Sequence, residues 1–172
     1  MNIAVIGGGV FGAVTAIKLA EMGRMVSLFE RRPALMQSAS SNANRVHLGF
    51  HYPRDDETAR QCLRGFWKFK EEFAGAVLPD LSNAYFIASE GSLTLPNDFL
   101  AFCSRIVLPY QEIELDKFQP LVTNVELGVI TDEVMYDAVT LRRLLTERLQ
   151  SSQVATCLSS EVVDICRRQE RI

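Results

Sequence analysis

The chain has 172 residues, 18 basic against 21 acidic side chains, a net charge of -3 and an apolar fraction of 48%. Such a composition suits a globular domain with a sizeable core and excludes the basic surface that nucleic acid requires. No apolar run approaches the ~20 residues needed to span a bilayer, no basic leader precedes the first strand pattern, and the four cysteines, without a CxxC pair, read as reduced, mostly buried thiols of a cytoplasmic protein.

In chain order, "NIAVI" (Asn2 to Ile6) reads as a buried parallel strand. Gly7-x-Gly9-x-x-Gly12 follows at once, and then a helical pattern with Ala13, Ala16, Ile17, Leu19 and Ala20 on its apolar face, stopped at Gly23. "MVSLFE" is the second strand and ends in Glu30, 18 residues beyond Gly12. Gly7 permits the turn, Gly9 lets a pyrophosphate approach the backbone, and Gly12 lets the helix pack on the sheet. The helix N-terminus offers free N–H groups to phosphate, and Glu30 can accept from both ribose hydroxyls. An acid here favours an unphosphorylated ribose, as in NAD or FAD, while Arg31 and Arg32 keep NADP open because guanidinium can hold a 2′-phosphate.

The stretch "IAVIGGGVFGAVTAIKLAEMGRMVSLFE" resembles the extended FAD fingerprint, with Ala16, Leu19-Ala20, Gly23 and Val26 in its places. "SASSNANRVHLGFHYPRD" is similar to the second block of the D-amino-acid oxidase-type flavoproteins, which include glycine and sarcosine oxidases and glycerol-3-phosphate and 2-hydroxyglutarate dehydrogenases. The resemblance implies FAD as cofactor, with Gly7, Gly9, Val10, Phe11 and Gly12 at the pyrophosphate and Glu30 and Arg31 at the adenosine end. It implies Ser40, Ser41, Asn42 and Asn44 at phosphate and ribityl, and Arg45, Val46, His47 and Leu48 facing the flavin. Some members attach FAD covalently through a histidine near this point.

Both histidines of the chain, His47 and His51, fall in this second block. Gly49 between them and Pro53 beyond argue against a helix carrying an i, i+4 metal pair, so no metal is expected. A solvated turn and a flavin-side segment both remain open from the residues alone. As catalytic candidates, Arg45 or Arg54 can hold an anionic group, and His47, His51 or Tyr52 can take a proton from a donor heteroatom.

Further on, Asp55 reads as the N-cap of an amphipathic helix carrying Ala59, Cys62 or Leu63, Phe66, Phe69 or Lys70, and Phe73. "NAYFIAS", "YQEIEL", "ELGVIT" and "EVMY" are strand candidates, and "PNDFLAFCSRI" a short helix opened by Pro96. Asp137 is a candidate N-cap for a helix with Leu141, Leu144, Leu145 and Leu149 in a stripe, followed by "VATCL" and a strand around Glu161 to Cys166.

The expected fold is α/β: a Rossmann-like FAD/NAD(P)-binding domain with a parallel sheet over residues 1–78 and 138–172, and part of an inserted antiparallel-sheet substrate domain over 79–137. The resemblance implies that Val162 meets adenine through its backbone. It further implies that the chain is the N-terminal portion of an oxidoreductase taking hydride from a C–H next to an amine or hydroxyl of a small substrate. A portion of that kind is expected to be a poor enzyme by itself, to hold FAD weakly and to self-associate through an unpaired strand edge or to need a C-terminal half. Two other classes stay open: a NAD-binding dehydrogenase, and a non-catalytic subunit that acts as an interaction module.

Overall fold

A computed structural model describes residues 2–37, 43–78, 81, 83–118 and 121–166. Ser40, Ser41 and Asn42, three of the expected cofactor contacts, lie outside these described residues. The elements are β1 (Asn2–Ile6), α1 (Val10–Glu21), β2 (Met25–Phe29), β3 (Arg45–Val46), α2 (Asp56–Glu72), β4 (Val77–Leu78), β5 (Asn83–Ala88), α3 (Pro96–Ile106), β6 (Tyr110–Glu112), β7 (Val125–Thr131), β8 (Val134–Tyr136), α4 (Ala138–Ser151) and β9 (Ala155–Cys157). They fall into two compact units, Met1–Asn42 with Ala138–Ile172, and Ala43–Asp137. The division comes earlier than the sequence boundary at 78, because α2 packs with α3 inside the second unit.

The first unit is built on a parallel sheet in the order β1-β2-β9. Ala13, Ala16 and Ile17 of α1 are buried, and the two alanines let the helix come close to its neighbours. Helix α4 buries Leu141, Leu145 and Leu149, three of its four stripe leucines, and packs against α1. An Arg148–Glu21 ion pair at 3.3 Å joins the two helices. Strand β1 departs from expectation. It lies at the sheet edge, its burial alternates, and Ile6 is 54% exposed. An apolar run there indicated cover on both faces, and among the described residues only one face is covered.

The second unit holds two antiparallel sheets, β5-β7-β6 and the small β3-β8-β4. Asp55 caps α2 as its sequence indicates, accepting from the Thr58 amide at 3.0 Å and the Thr58 hydroxyl at 2.7 Å. Pro96 opens α3, where its missing N–H costs nothing. Phe50, Phe66, Phe99, Phe102, Ile106 and Val129 meet in one core that joins both helices to β7. Each such side chain contributes ~1.5–3 kcal/mol by leaving water.

Two further expectations are corrected. Glu161 to Cys166 forms no strand, and the ladder ends at Cys157. The segment is largely exposed, with Val163 at 88% and Ile165 at 77%, so its β-branched residues have no sheet to join among the described residues. The cysteines are all unpaired, but Cys103 alone is fully buried; Cys62 and Cys157 are half-buried and Cys166 is exposed. Burial pushes the Cys103 thiol up to about 12, which keeps it an inert core group.

Candidate functional site

The glycine loop joins β1 to α1 and shapes a cleft of about 370 Å³ lined by Gly7, Gly9, Glu30, Arg31, Glu161 and Val162 among others. Gly7 makes the turn at φ +100° and donates to the Phe29 carbonyl at 2.8 Å. A Cβ on Gly12 would stand 1.9 Å from the Gly7 carbonyl oxygen, so that position is closed to any side chain. A Cβ on Gly9 would meet nothing within 4 Å. Gly9 is also the N-cap of α1, with no side chain capping the first turn. The chain thus keeps open space at a helix N-terminus whose amides can receive an anion.

Glu30 departs from the simple expectation. Its carboxylate accepts from the Gly8 amide at 2.6 Å and the Arg32 amide at 2.8 Å, so it first fastens the loop to β2. Each oxygen keeps a further lone pair for a ribose hydroxyl. Gly8, overlooked by the motif because it is an x position, is equally constrained: a Cβ there would come within 2.8 Å of Leu35 and 2.9 Å of Glu30. The chain after β9 continues beside β2, with Ser160 donating to the Glu30 carbonyl at 2.9 Å and Ser159 to Arg32 at 3.0 Å. This pairing carries Glu161 and Val162 to the cleft.

Gly7, Gly9, Glu30, Arg31 and Val162 therefore share one cleft. Gly12 stands behind it, Val10 begins α1, and Phe11 is 90% exposed on the first helical turn.

Within the second unit, the residues around the two histidines gather on a buried carboxylate. Glu133 sits at the corner between β7 and β8, and its side chain is fully buried. It accepts from the Leu48 amide at 2.7 Å and from the Tyr85 hydroxyl at 2.6 Å. His47 Nδ1 lies 3.5 Å from Glu133 Oε2, an electrostatic contact longer than an ordinary hydrogen bond. The His47 and His51 rings meet edge to face at 4.5 Å, His51 meets Tyr85 at 5.0 Å, and the Arg45 guanidinium lies 5.8 Å from the Tyr85 ring centre. The corner is pinned by Asn83, which donates to the Glu133 carbonyl at 2.8 Å. Burial pushes the Glu133 carboxyl up, but His47, the Tyr85 hydroxyl and the Leu48 amide together hold it below the usual range, so it is ionised. Burial first, and then the Glu133 charge, push the Tyr85 hydroxyl far up, and it stays a donor.

Arg45, His47 and His51 are thus brought together, with Val46 beside them on β3. Asn44 adopts φ +51° and its carbonyl accepts from Tyr136 at 2.8 Å. Leu48 is 0% exposed, with its side chain in the core and its amide on Glu133. Tyr52 lies in the turn before α2, 39% exposed, with its amide on the Gly49 carbonyl at 3.0 Å. Glu133 and Tyr85 were missed. Both sit in strand patterns that read as ordinary sheet, and the one available signal was the acidic pair Asp132-Glu133 where two strand candidates meet, "TDEVMY".

His51 has a pH consequence. Burial, and next the neighbouring His47, push its pKa below 6.5; Glu133 works the other way and Arg45 adds to the lowering. The unfolded chain then binds the proton first as pH falls through 6.5, so stability is present above that value and is lost below it, down to the folded pKa. We expect the urea midpoint to drop between about pH 7.5 and 5.5, and His51→Gln to flatten that slope. Depressed Glu133 acts separately: its contribution is present above 4.5 and fades as pH falls through its folded value.

The folds and the cleft define a nucleotide-binding α/β unit accompanied by an antiparallel unit that carries a polar cluster. The profile of the DAO family, FAD dependent oxidoreductase, matches residues 2–172, and the chain belongs to that family. The cofactor of the family is FAD. The chain is 33% identical to the FAD-dependent monooxygenase FPY4 of Fusarium mangiferae over 131 residues, 73% of this chain and 34% of that protein. It is 36% identical to the FAD-dependent monooxygenase kojA of Aspergillus flavus over 86 residues, 49% of this chain and 20% of that one. Among solved structures, L-proline dehydrogenase from P. horikoshii superposes with a TM-score of 0.74 at 18% identity, covering 94% of this chain and 44% of that one. L-alpha-glycerophosphate oxidase from Mycoplasma pneumoniae with FAD bound gives 0.71 at 19%, covering 95% and 46%. Likeness at that identity speaks for the fold. The chain spans 34% or less of these curated relatives and under half of these solved chains. No helix among the described residues is long and apolar enough to cross a membrane.

Proposed function

We propose that this FAD-dependent oxidoreductase takes hydride from a C–H next to an amine or hydroxyl of a small substrate. Bound FAD would supply the hydride acceptor. What the chain's residues supply is support for it. Gly7, Gly9 and the α1 N-terminus would hold the pyrophosphate, Glu30 the ribose, and the backbone at Val162 the adenine. Arg45 would attract an anionic substrate group, and His47 would hold the proton released from the donor heteroatom. The observation that carries the proposal is the gathering of Arg45, His47, His51 and Tyr85 around one buried, ionised Glu133. An idle surface turn has no need of a fully desolvated carboxylate, which costs several kcal/mol before its partners offset it.

The test is anaerobic bleaching of the flavin by small amines and hydroxy acids in the FAD-loaded protein. His47→Ala should slow bleaching or shift flavin affinity more than His51→Ala does. Equal and negligible effects of both would make the histidine stretch a solvated turn. The 172-residue chain tested alone should hold FAD weakly and show no turnover, since one cleft wall leaves a substrate in water.

Oxygen insertion is the second reading, favoured by one observation: the relatives at 33% and 36% identity are both FAD-dependent monooxygenases by name. Incorporation of label from isotopic dioxygen into the product would select it over simple dehydrogenation.

A further inference from the structure

We propose that Glu133 is a positioning residue that holds the neutral His47 imidazole as its Nδ1–H tautomer, leaving Nε2 as the proton-accepting atom. The inference rests on the proposed role of His47, but its physical content concerns the second unit alone.

Glu133 has no solvent-exposed side-chain surface, and both its oxygens are committed to protein donors. Oε1 takes the Leu48 amide, one residue beyond His47, so the carboxylate fixes the backbone that carries the imidazole. Oε2 takes the Tyr85 hydroxyl and also faces His47 Nδ1 at 3.5 Å. That nitrogen is itself buried and has no hydrogen-bond partner at shorter range. Two arrangements are conceivable: a lone pair on Nδ1 against a carboxylate oxygen, or an N–H directed at it. In a site shielded from water the first sets two electron-rich atoms against each other, and the second is attractive. Which ring nitrogen carries the proton is set by what faces the other. Here the buried face is anionic, so the proton goes to Nδ1.

The ring is held from its other sides by neighbours that offer no competing acceptor at Nδ1. His51 meets it edge to face at 4.5 Å, and His51 rests in turn on Tyr85 at 5.0 Å. Arg45 stands over the same Tyr85 ring. The imidazole keeps 36% of its side-chain surface open, although Nδ1 is buried. Tyr85 is a donor to the carboxylate and stays protonated, so it cannot relieve Glu133 of its charge.

The experiment is long-range ¹H–¹⁵N correlation of the histidine rings in the protein at about pH 9, where imidazoles are neutral. Wild type should show His47 as the Nδ1–H tautomer. Glu133→Gln should reverse the ratio at least tenfold: with its carbonyl on the Leu48 amide, the Gln amino group faces Nδ1 and needs a lone pair there. Tyr85→Phe keeps the carboxylate and should leave His47 in the Nδ1–H form. An Nε2–H tautomer in wild type overturns the proposal, and so does an unchanged tautomer in a folded Glu133→Gln variant. If Glu133→Gln fails to fold, the wild-type and Tyr85→Phe spectra still decide, because loss of the Nδ1–H form in Tyr85→Phe also overturns it. The functional reading fails separately: the expected tautomers, together with unaltered flavin bleaching in His47→Ala, would leave Glu133 positioning a ring that the reaction does not use.

Discussion

Gly9→Val is expected to abolish FAD binding in a folded chain, and Gly12→Ala to destabilise the first unit strongly. The two glycines stand three residues apart in one motif, and the structure gives them different work. Gly9 has φ -69° and ψ 179°, a backbone any residue adopts, and an added Cβ meets nothing within 4 Å. A valine there loses a favoured N-cap residue, a cost of ~1 kcal/mol that a domain stable by ~5–15 kcal/mol survives. What it fills is the space from which the loop amides would reach a pyrophosphate, so affinity should fall ~100-fold or more, which is ~2.7 kcal/mol. Gly12 has the reverse character. Its Cβ would lie 1.9 Å from the Gly7 carbonyl oxygen, inside any contact distance; Gly12 is held within α1, and Gly7 is tied to the end of β2 by its hydrogen bond to the Phe29 carbonyl. Relief requires α1 to leave the sheet, at ~3 kcal/mol or more. Flavin fluorescence titration and urea unfolding of both variants separate the effects. FAD affinity kept in Gly9→Val would remove the pyrophosphate from this loop.

That division of labour also shows what the residue pattern could and could not reveal. The βαβ unit was legible because every signal in it is local. A strand run, three spaced glycines, a small-faced helix and a terminal acid follow one another within about 30 residues. Helices α2 and α3 were equally readable from Asp55, Pro96 and their apolar faces. The polar cluster was half legible. His47, His51 and Arg45 stood out because histidine is scarce here and the block around them has a family likeness. Their anchor did not, since Glu133 is 85 residues from Leu48 along the chain and 48 from Tyr85. Nothing local marks a carboxylate as buried: an acid at a strand corner is ordinarily solvated, and only the meeting of β3, β5 and β8 desolvates this one. The apolar strand β1 erred in the other direction, because composition reports what a surface could bury and not whether its cover is present.

Gly49→Ala should destabilise the second unit by ~2–4 kcal/mol, while Gly65→Ala should stabilise it. Gly49 separates the two histidines and has φ +122°, a conformation open to glycine and strained for every L side chain. Its added Cβ would also stand 2.8 Å from the Ala59 carbonyl oxygen and 3.0 Å from the Ala59 Cα. Ala59 is fully buried on α2, so neither side can yield without opening the core that Phe50 and Phe66 share. Gly65 lies in the middle of the same helix, exposed, with nothing within 4 Å of an added Cβ. Alanine there gains ~0.5–1 kcal/mol of helix propensity. Opposite signs from one chemical change, at a glycine packed on α2 and at an open glycine within α2, would show that the chain places glycine between its histidines in order to seat them against α2. Gly49 links the two histidines whose rings meet at 4.5 Å, so Gly49→Ala should also weaken the acid-side loss of stability that His51 produces. Equal, small shifts in the urea midpoint for both variants would mean that the 43–55 segment does not rest on Ala59 in solution.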